Sequence, residues 1–250
     1  MIENEIKSEI QIQPVITVIT VVFNGILTFE NTILSVINQS YKKIEYIVID
    51  GGSTDGTVDL IKKYQDRISY WVSEPDNGIY DAMNKGAAMS TGDWIYFLGA
   101  DDFMFNCIHQ VVPLFESESI MYGDVIFKMN QNRLYGKFNS FKFIIHNMPH
   151  QALFYPRRVF DKYTYEKKYI YLADYYLNLL CWNDKSFKIK YLPYAIAEYN
   201  DLGVSSVKYD VNFINDRIFN FLKYMPVLFS PFILFRLSLS WLKLKFLKKI

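Results

Sequence analysis

The sequence predicts an α/β fold whose central feature is a doubly wound, mostly parallel sheet with helices on both faces. Two observations in the first half of the chain lead to this prediction. Apolar, β-branched runs alternate with segments of helical spacing, and each apolar run is followed by glycine, amide or carboxylate groups. Such alternation is typical of parallel strands joined by crossover helices. With 250 residues, 51% of them hydrophobic, the chain can bury a large core.

The alternating elements follow one another without an internal repeat or a low-complexity linker. Strands are predicted at residues 15–23, 44–49, 68–72 and 94–98, from buried runs such as VITVITVVF. Helices are predicted at residues 27–39 and 79–89. Between them, we expect a helix that is capped by Ser53 or Thr54 and reaches residue 64.

After residue 124 the pattern changes. Short apolar pieces at residues 125–129 and 134–137 flank the polar triplet Asn130-Gln131-Asn132, which predicts a hairpin. Residues 172–182 have helical spacing, and residues 187–199 are predicted to be extended. The second half is therefore expected to be less regular than the first.

Charge and cysteine content exclude several classes of function. The chain has 27 Lys and Arg residues against 26 Asp and Glu residues, so no global field draws it onto nucleic acid. Cys107 and Cys181 are far apart in sequence and lack partners at metal-ligand spacing, so we expect both to pack as small apolar residues. No secretory leader pattern opens the chain, which favours a cytoplasmic protein.

Polar clusters follow all four predicted strands. They are Asn24-Gly25, Asp50-Gly51-Gly52, Glu74-Pro75-Asp76-Asn77-Gly78 and Asp101-Asp102. In doubly wound sheets, ligands bind beyond the carboxyl ends of the strands, so these clusters are expected to line one binding site. Asp76 and Asn77 are candidate ligand contacts in it.

The adjacent acids Asp101 and Asp102 need a counter-charge, because neighbouring carboxylates repel each other. The chain contains neither GxxxxGK[ST] nor a GxGxxG after its first strand, so neither a P-loop nor a dinucleotide site is supported. A diphosphate would instead be held through Mg²⁺ or Mn²⁺, which takes one or two carboxylates together with phosphate oxygens. The acid pair suits that role.

Six segments give the chain a resemblance to a known family. They are VITVVFNG, VIDGGSTDGT, DNGIYDAMNKG, TGDWIYFLGADD, NMPHQALFY at residues 147–155 and LADYYLNLL at residues 172–180. In this order they resemble glycosyltransferase family 2, which has the GT-A fold, over about residues 14–200. Within the family, the chain is most similar to the stand-alone enzymes that build bacterial surface polysaccharides.

The resemblance implies a division of the chain. A GT-A catalytic domain is expected over residues 1–205, with a nucleotide-sugar-binding half at about residues 14–125 and an acceptor-binding half at residues 126–205. Residues 206–250 would form a helical, membrane-associating tail.

The resemblance also implies roles for individual residues on the donor side. Asp50 would approach the base or ribose of the nucleotide, in a pocket that Phe23 and Asn24 line. Asp102 would bind the metal, and Asp101 would contact the ribose or assist the metal.

Asp174 lies where the family usually has its general base, which removes the proton from the acceptor hydroxyl. That role is chemically reasonable, since attack on the anomeric carbon needs a weak base near the hydroxyl.

The chain departs from the commoner family pattern at Gly51, Gly99 and Met83, where many members have Asp, Asp and Arg. Lys85 is a candidate replacement for the missing cation, although Lys85 and Asp81 also have the spacing of an ordinary ion pair on a helix.

Two further residues have open roles. His150 either lines the rim of the site or fixes a loop after Pro149. Asp124, at the end of the MYGDV run, either faces the acceptor or has no part in the site.

The C-terminal tail has the pattern of a helix that lies on a membrane. Its apolar residues recur at intervals of three and four, and its basic pair Lys248-Lys249 would meet anionic headgroups. These apolar residues are Phe232, Phe235, Leu239, Leu242 and Phe246. No uncharged run reaches the length of about 20 residues that a spanning helix needs. The alternative is packing on the domain or in a dimer, and the oligomeric state stays open.

The leading hypothesis is an inverting, metal-dependent enzyme that uses Mn²⁺ or Mg²⁺. It would move one sugar from a nucleotide-sugar, with UDP favoured, to a lipid-linked oligosaccharide on the inner face of the cell membrane. The product would belong to an O-antigen, a capsule or an exopolysaccharide. The alternatives are a processive polysaccharide synthase, which lacks support because no QxxRW motif is present, and a non-catalytic carbohydrate-binding protein on the same fold.

Overall fold

The computed structural model describes residues 13–134, 136–200 and 209–246. The strands are β1 (Ile16–Val22), β2 (Ile44–Asp50), β3 (Tyr70–Ser73), β4 (Trp94–Gly99), β5 (Phe103–Met104), β6 (Ser119–Phe127), β7 (Arg133–Leu134), β8 (Leu153–Pro156) and β9 (Lys188–Tyr199). The helices are α1 (Phe29–Ile37), α2 (Thr57–Lys63), α3 (Ile79–Met89), α4 (Ile108–Val111), α5 (Ser140–Ile145), α6 (Arg158–Lys162), α7 (Ala173–Asn183), α8 (Val211–Tyr224) and α9 (Ser230–Phe246). Short 3-10 turns lie at Gln65–Arg67, Val112–Leu114, His150–Ala152 and Val227–Phe229.

One sheet runs through the molecule in the order β3-β2-β1-β4-β8-β6-β9-β5, and β7 pairs with β6. The first four strands are parallel, with Val22 opposite Asp50 and Asp50 opposite Ser73. Their carboxyl ends therefore meet at one edge. The predicted α/β class is confirmed.

The second half makes the sheet mixed. Strand β8 runs antiparallel to both β4 and β6, whereas β6 and β9 are parallel with an irregular register around Asp124. The predicted hairpin forms between β6 and β7, with Val125 opposite Leu134. The second strand of that hairpin is shorter than predicted, and Gly136 has a φ of +43°.

Successive strand residues feed two hydrophobic cores, one on each face of the sheet. On β4, Phe97 packs into the core beneath α3 and α7, and its neighbour Leu98 packs into the core beneath α1 and α2. This alternation follows from the two-residue period of a strand, and it explains why a run without polar residues forms a strand covered on both faces.

The start of α2 differs from the prediction that Ser53 or Thr54 caps it. The helix begins at Thr57, after Gly56 with a φ of +102°. Asp55 Oδ1 accepts the Thr57 backbone N–H at 3.0 Å, and the Ser53 hydroxyl is used by Asp50 instead. The glycine is needed because only a residue without Cβ adopts this φ without strain.

The two C-terminal helices pack on the core that lies beneath α3 and α7. Phe213 and Phe221 of α8 and Ile233 and Leu237 of α9 are buried in the same core as Phe97. Helix α8 is therefore an integral part of the fold. The predicted boundary at residue 205 and the pair Lys248-Lys249 lie outside the described residues.

None of the helices in the described ranges has both the length and the apolar character that crossing a bilayer requires.

Candidate active site

The loops after β1, β2 and β3 are hydrogen-bonded to one another at the carboxyl edge of the sheet. The Gly51 N–H donates to the Val22 carbonyl at 2.9 Å, and the Glu74 N–H donates to the Asp50 carbonyl at 3.0 Å. The polar clusters that follow these strands in sequence are therefore neighbours in space, as predicted.

Asp50 is 0% exposed, beneath the surface of this edge. Its Oδ2 accepts the Gly52 and Ser53 N–H groups and the Ser73 hydroxyl, at 3.1, 2.9 and 2.6 Å, and its Oδ1 accepts the Ser53 hydroxyl. Because the side chain is fully buried, a direct contact between Asp50 and a nucleotide would require the loop at residues 51–53 to move. The geometry gives Asp50 a positioning role: it holds the loop at residues 51–53.

Residue 51 has no side chain, and the Asp76 carboxylate occupies the space that a Cβ there would need. A Cβ placed on Gly51 would lie 2.6 Å from Asp76 Oδ2 and 3.4 Å from Phe23 Cδ2. Phe23 is 66% exposed, which is unusual for so large an apolar side chain at a strand end. Asn24 has a φ of +50°, and its Oδ1 accepts the Thr54 N–H at 2.9 Å, so it holds the loops together.

The remaining donor-side candidates are engaged with protein partners. The backbone N–H of Asn77 donates to Asp81 Oδ2 at 3.1 Å. Lys85 Nζ contacts Glu74 Oε1 at 2.8 Å, and Asp81 pairs with Lys167 at 3.0 Å. The ion pair between Asp81 and Lys85 that their spacing suggested is therefore replaced by two pairs to other elements.

The acid pair lies at the end of β4, with Asp102 facing inward. Asp102 is 3% exposed, and it accepts the Gln151 Nε2–H at 2.9 Å and the Asn200 N–H at 2.8 Å. Burial and, after it, the charge of Asp101 raise the pKa of the Asp102 carboxyl to about 6. A Cβ on Gly99 would lie 2.5 Å from Asp102 Oδ2, so the glycine makes room for this carboxylate.

The acid pair of Asp101 and Asp102 offers carboxylate oxygens, which are the ligands that Mg²⁺ and Mn²⁺ prefer. Asp101 Oδ2 accepts the Asn200 Nδ2–H at 2.8 Å, and the two carboxylates keep unused lone pairs. Burial and the charge of Asp101 disfavour the ionised form of Asp102 and so raise its pKa, an effect that a bound cation would offset. Within the described ranges, no three His, Cys, Asp or Glu residues form a complete ligand set. Such a cation would need phosphate oxygens as further ligands.

Asp174 lies in the first turn of α7, 5% exposed, at the centre of a polar network. Its Oδ1 accepts the Tyr175 N–H at 2.8 Å and lies 3.1 Å from the Tyr80 hydroxyl, which shares its proton between this carboxylate and the Tyr171 carbonyl at 3.0 Å. Its Oδ2 accepts the Asn147 Nδ2–H at 2.7 Å and lies 3.4 Å from His150 Nδ1. Burial and the charge of Asp174 raise the pKa of Tyr80 well above its ordinary value, so its hydroxyl stays a donor.

Two consecutive side chains connect the acids. His150 contacts Asp174, and Gln151 contacts Asp102. The turn that carries them is held by the Tyr96 hydroxyl, which donates to the Gln151 carbonyl at 2.7 Å. The His150 side chain thus lies against Asp174, on a turn that follows Pro149.

Asp124 does not end a strand, as its position after MYG suggested, but lies within β6 and is buried. Its Oδ1 accepts the Gly136 N–H at 2.9 Å, and its Oδ2 accepts the Tyr191 hydroxyl at 2.9 Å. These contacts give it a structural role in the second half of the sheet.

Several residues of the site were not identified from the sequence. They are Tyr80, Asn147, Gln151, Asn200 and Asp210. Asn147 and Gln151 belong to the NMPHQALFY segment, in which only His150 was selected. Asn200 follows the predicted strand at residues 187–199, so the strand-end argument applied to β9 would have found it.

Asp210 connects the C-terminal helices to the Asp174 helix. Its Oδ2 accepts the backbone N–H groups of Tyr171 and Leu172, at 2.8 and 3.0 Å, directly before α7. Its Oδ1 accepts the Phe213 N–H at 3.0 Å and so caps α8. One buried carboxylate thus fixes the starts of both helices.

Comparison with known proteins shows what the chain is similar to. Residues 17–172 match the family described as Glycosyl transferase family 2. The PGL/p-HBAD biosynthesis glycosyltransferase of Mycobacterium bovis (strain BCG / Pasteur 1173P2) is 30% identical over 224 residues, which cover 86% of this chain and 85% of that protein. An uncharacterized glycosyltransferase of Haemophilus influenzae is 38% identical over 96 residues, or 37% of this chain and 38% of that protein.

Two solved structures share the fold at low sequence identity. Residues 1–349 of S. aureus TarS in complex with UDP superpose with a TM-score of 0.68 at 14% identity, covering 85% of this chain and 67% of that chain. The mannosyltransferase PcManGT from Pyrobaculum calidifontis, in complex with GDP-Man and Mn²⁺, gives a TM-score of 0.62 at 14% identity, covering 89% of this chain and 69% of that chain. These likenesses confirm the GT-A fold.

Proposed function

Since this chain belongs to glycosyltransferase family 2, we propose that it transfers one sugar from a UDP-sugar to a lipid-linked glycan, with inversion at the anomeric carbon. The acceptor would belong to a surface polysaccharide such as an O-antigen, a capsule or an exopolysaccharide. One observation carries the proposal: the consecutive residues His150 and Gln151 contact Asp174 and Asp102, so a single turn contacts both the base candidate and the acid pair.

The nucleotide would lie along the carboxyl edge of β1 to β4. Phe23, Asn24 and Asp76 line this edge directly, and Asp50 supports it from below. Lys85, paired with Glu74, contributes a positive charge beside the same loop. The UDP in the TarS structure and the GDP-Man in the PcManGT structure belong to proteins of the same fold.

Asp102, assisted by Asp101, would hold Mn²⁺ or Mg²⁺. When bound, the cation offsets the negative charge that develops on the departing diphosphate. Gln151 and the Asn200 N–H keep the Asp102 carboxylate in a single orientation, and Asn200 also orients Asp101. PcManGT was solved with Mn²⁺, which supports this assignment.

Asp174 would remove the proton from the acceptor hydroxyl as that oxygen attacks the anomeric carbon. The Tyr80 hydroxyl and the Asn147 amide hold the carboxylate by hydrogen bonds, so its orientation is set before the acceptor binds. His150, 3.4 Å from the same carboxylate, is the next group along the path of the proton.

The C-terminal helices would hold the enzyme on the cytoplasmic face of an anionic membrane, where a lipid-linked acceptor is found. Helix α9 buries Ile233 and Leu237 against the domain and leaves an outer face of large apolar side chains exposed. This outer face consists of Leu234, Phe235, Leu239 and Leu242, and Val227 and Leu228 of the preceding 3-10 turn are exposed as well. Arg236 and Lys245 are exposed on the same helix, which matches the pattern of a helix bound at a lipid surface.

A donor screen with the full chain tests the proposal. The melting temperature and the slow hydrolysis of UDP-glucose, UDP-galactose, UDP-N-acetylglucosamine and GDP-mannose would be measured with Mn²⁺ and with excess chelator. We expect a UDP-sugar to stabilise the protein, by about 3 kcal/mol at 100 times its Kd, only when the metal is present. A protein that no nucleotide-sugar stabilises or that hydrolyses none would contradict the proposal and favour a non-catalytic carbohydrate-binding protein.

A further inference from the structure

A buried asparagine lies one helical turn beyond Asp174 on α7. Asn178 is 1% exposed and follows Asp174 by four residues, so the two side chains project from the same face of the helix. Burying an amide in an apolar core is unfavourable unless its polar atoms are hydrogen-bonded. An apolar side chain could fill the same space without partners, so the reason for the amide lies in what it contacts.

Hydrogen bonds fix Asn178 on both sides of its amide. The Tyr155 hydroxyl, on β8, donates to Asn178 Oδ1 at 2.7 Å. Asn178 Nδ2 donates to Asn147 Oδ1 at 2.9 Å and to the Met148 carbonyl at 3.1 Å. Burial raises the pKa of Tyr155 well above its ordinary value, so its hydroxyl stays a donor. Because the Met148 carbonyl can only accept, a single orientation of the Asn178 amide satisfies all of these partners.

The orientation of Asn178 in turn fixes that of Asn147. Because Asn147 Oδ1 accepts from Asn178, its Nδ2 faces the other way and donates to Asp174 Oδ2 at 2.7 Å. A reversed Asn147 would place its carbonyl oxygen against the Asp174 carboxylate and its Nδ2 against the Nδ2 of Asn178. Every hydrogen bond in the series from Tyr155 to Asp174 therefore donates toward Asp174.

We propose that Asn178 is a positioning residue for the transfer reaction, which acts through Asn147 to keep a hydrogen-bond donor on the Asp174 carboxylate. The inference rests on the proposed function, in which Asp174 is the base, and adds a residue that touches neither the substrates nor the metal. The donor holds Asp174 Oδ2 in place before the acceptor binds, and it favours the ionised form of the carboxylate, which is the form that takes a proton.

Release of UDP from UDP-glucose, UDP-galactose and UDP-N-acetylglucosamine in Mn²⁺ tests this role in the full chain, with water as the acceptor. Asn178→Ala should lower kcat about 10-fold for the sugar that the wild type hydrolyses, because Asn147 loses the bond that orients it. The affinity for UDP, measured by calorimetry, should stay within about twofold of the wild type, since the donor edge does not contact Asn178.

Asn220→Ala is the matched control. Asn220 is another buried asparagine, 5% exposed, and its Nδ2 donates to the Tyr169 hydroxyl at 2.8 Å. Its removal also leaves a buried tyrosine hydroxyl with one partner fewer, but Asn220 has no bond to the series that ends at Asp174. This variant should therefore keep the wild-type kcat.

A double-mutant cycle tests whether Asn178 acts through Asn147. Asn147→Ala removes the donor to Asp174 itself and should lower kcat about 10- to 100-fold. Adding Asn178→Ala to that variant should change kcat by less than about twofold, because the residue that transmits its effect is gone. Losses that multiply in the double variant would mean that the two residues act independently, and this result would overturn the proposal.

Melting temperatures establish which variants are folded. If Asn178→Ala does not fold, Tyr155→Phe takes its place, because it removes only the hydroxyl that donates to Asn178 Oδ1. Tyr155→Phe should lower kcat about threefold in an otherwise wild-type chain, and it should have no effect in Asn147→Ala. A folded Tyr155→Phe with unchanged kcat would count against the series.

Two results separate this inference from the proposed function. A wild type that hydrolyses a UDP-sugar, beside a folded Asn178→Ala that does so equally fast, would overturn the role of Asn178 and leave the transferase intact. A wild type that hydrolyses none of the sugars would overturn the proposed function itself, and the inference with it.

Discussion

His150 Nδ1 lies 3.4 Å from Asp174 Oδ2, and the next residue along the chain, Gln151, donates to Asp102 at 2.9 Å. A single turn therefore sets the separation between the proposed base and the proposed metal ligand. Transfer chemistry depends on that separation, because the acceptor hydroxyl and the diphosphate must lie on opposite sides of the anomeric carbon.

Asp102→Asn should abolish metal-dependent turnover without unfolding the protein. Turnover should fall more than about 100-fold, because the charge that holds the cation is removed. In the metal-free protein, the pKa of Asp102 is raised to about 6 from its ordinary 3.8. The carboxyl group of Asp102 therefore binds a proton more tightly in the folded state than in the unfolded chain. As a result, the free energy of unfolding falls as pH rises from about 4 to about 6.

The asparagine removes that unfavourable charge and loses one hydrogen bond. At pH 7 we therefore expect the free energy of unfolding to change by less than about 2 kcal/mol. Denaturant titrations and turnover, each with and without chelator, check both parts. Wild-type turnover that survives excess chelator would contradict the metal role.

Asp174→Asn should reduce transfer by about 10²- to 10⁴-fold, the usual contribution of a general base. Donor affinity should hardly change, because the residues that line the donor edge do not contact Asp174. The Tyr80 bond can persist, since the amide keeps one oxygen. Single-turnover transfer rates beside calorimetric donor affinity check this split, and near-normal turnover would mean that Asp174 is not the base.

His150→Ala should have a smaller effect, about 10-fold on transfer, because Asp174 keeps its bonds to Tyr80 and Asn147. His150→Asn, which retains a short polar group, should lie between the alanine variant and the wild type. The measurement is kcat at saturating donor. An alanine variant as slow as Asp174→Asn would indicate that the two residues act as one unit.

Asp210→Ala should impair both stability and catalysis, although Asp210 is not among the reacting groups. It leaves three backbone N–H groups without their acceptor and removes the cap of α8, at a cost of about 2 to 4 kcal/mol. Because two of these groups precede α7, Asp174 should shift and kcat should fall while donor affinity is retained. Asp210→Asn, which keeps one acceptor, should recover part of both quantities.

Membrane binding should depend on the outer face of α9. Phe235→Glu combined with Leu239→Glu should weaken binding to phosphatidylglycerol-containing vesicles at least about tenfold in a flotation assay, since both side chains are exposed and apolar. Leu114→Glu combined with Met129→Glu, two exposed apolar residues elsewhere, is the matched control. Equal flotation of both double variants and the wild type would refute the membrane role of this face.

The sequence alone determined the order of the alternating strands and helices in the first half of the chain and the edge of the sheet at which their polar clusters meet. Both follow from local pattern: strand runs and helical spacing are properties of neighbouring residues, and parallel strands place their carboxyl ends together. Asp101 and Asp102 were found from a short local motif, whereas Asp174 was singled out only by the family resemblance.

Only the tertiary structure decided which side chains meet across the sheet. Asp102 pairs with Gln151 and Asn200, and Asp174 with Tyr80, although these partners are separated by 49, 98 and 94 residues. Asp50 and Asp76 look alike in sequence, since each follows a strand and is followed by a glycine-containing turn. The fold buries Asp50 among four donors and packs the Asp76 carboxylate against Gly51. The periodicity of the hydrophobic pattern gives the face of a strand or helix on which a residue lies. Its burial and its hydrogen-bond partners depend on strands and loops that are distant in sequence.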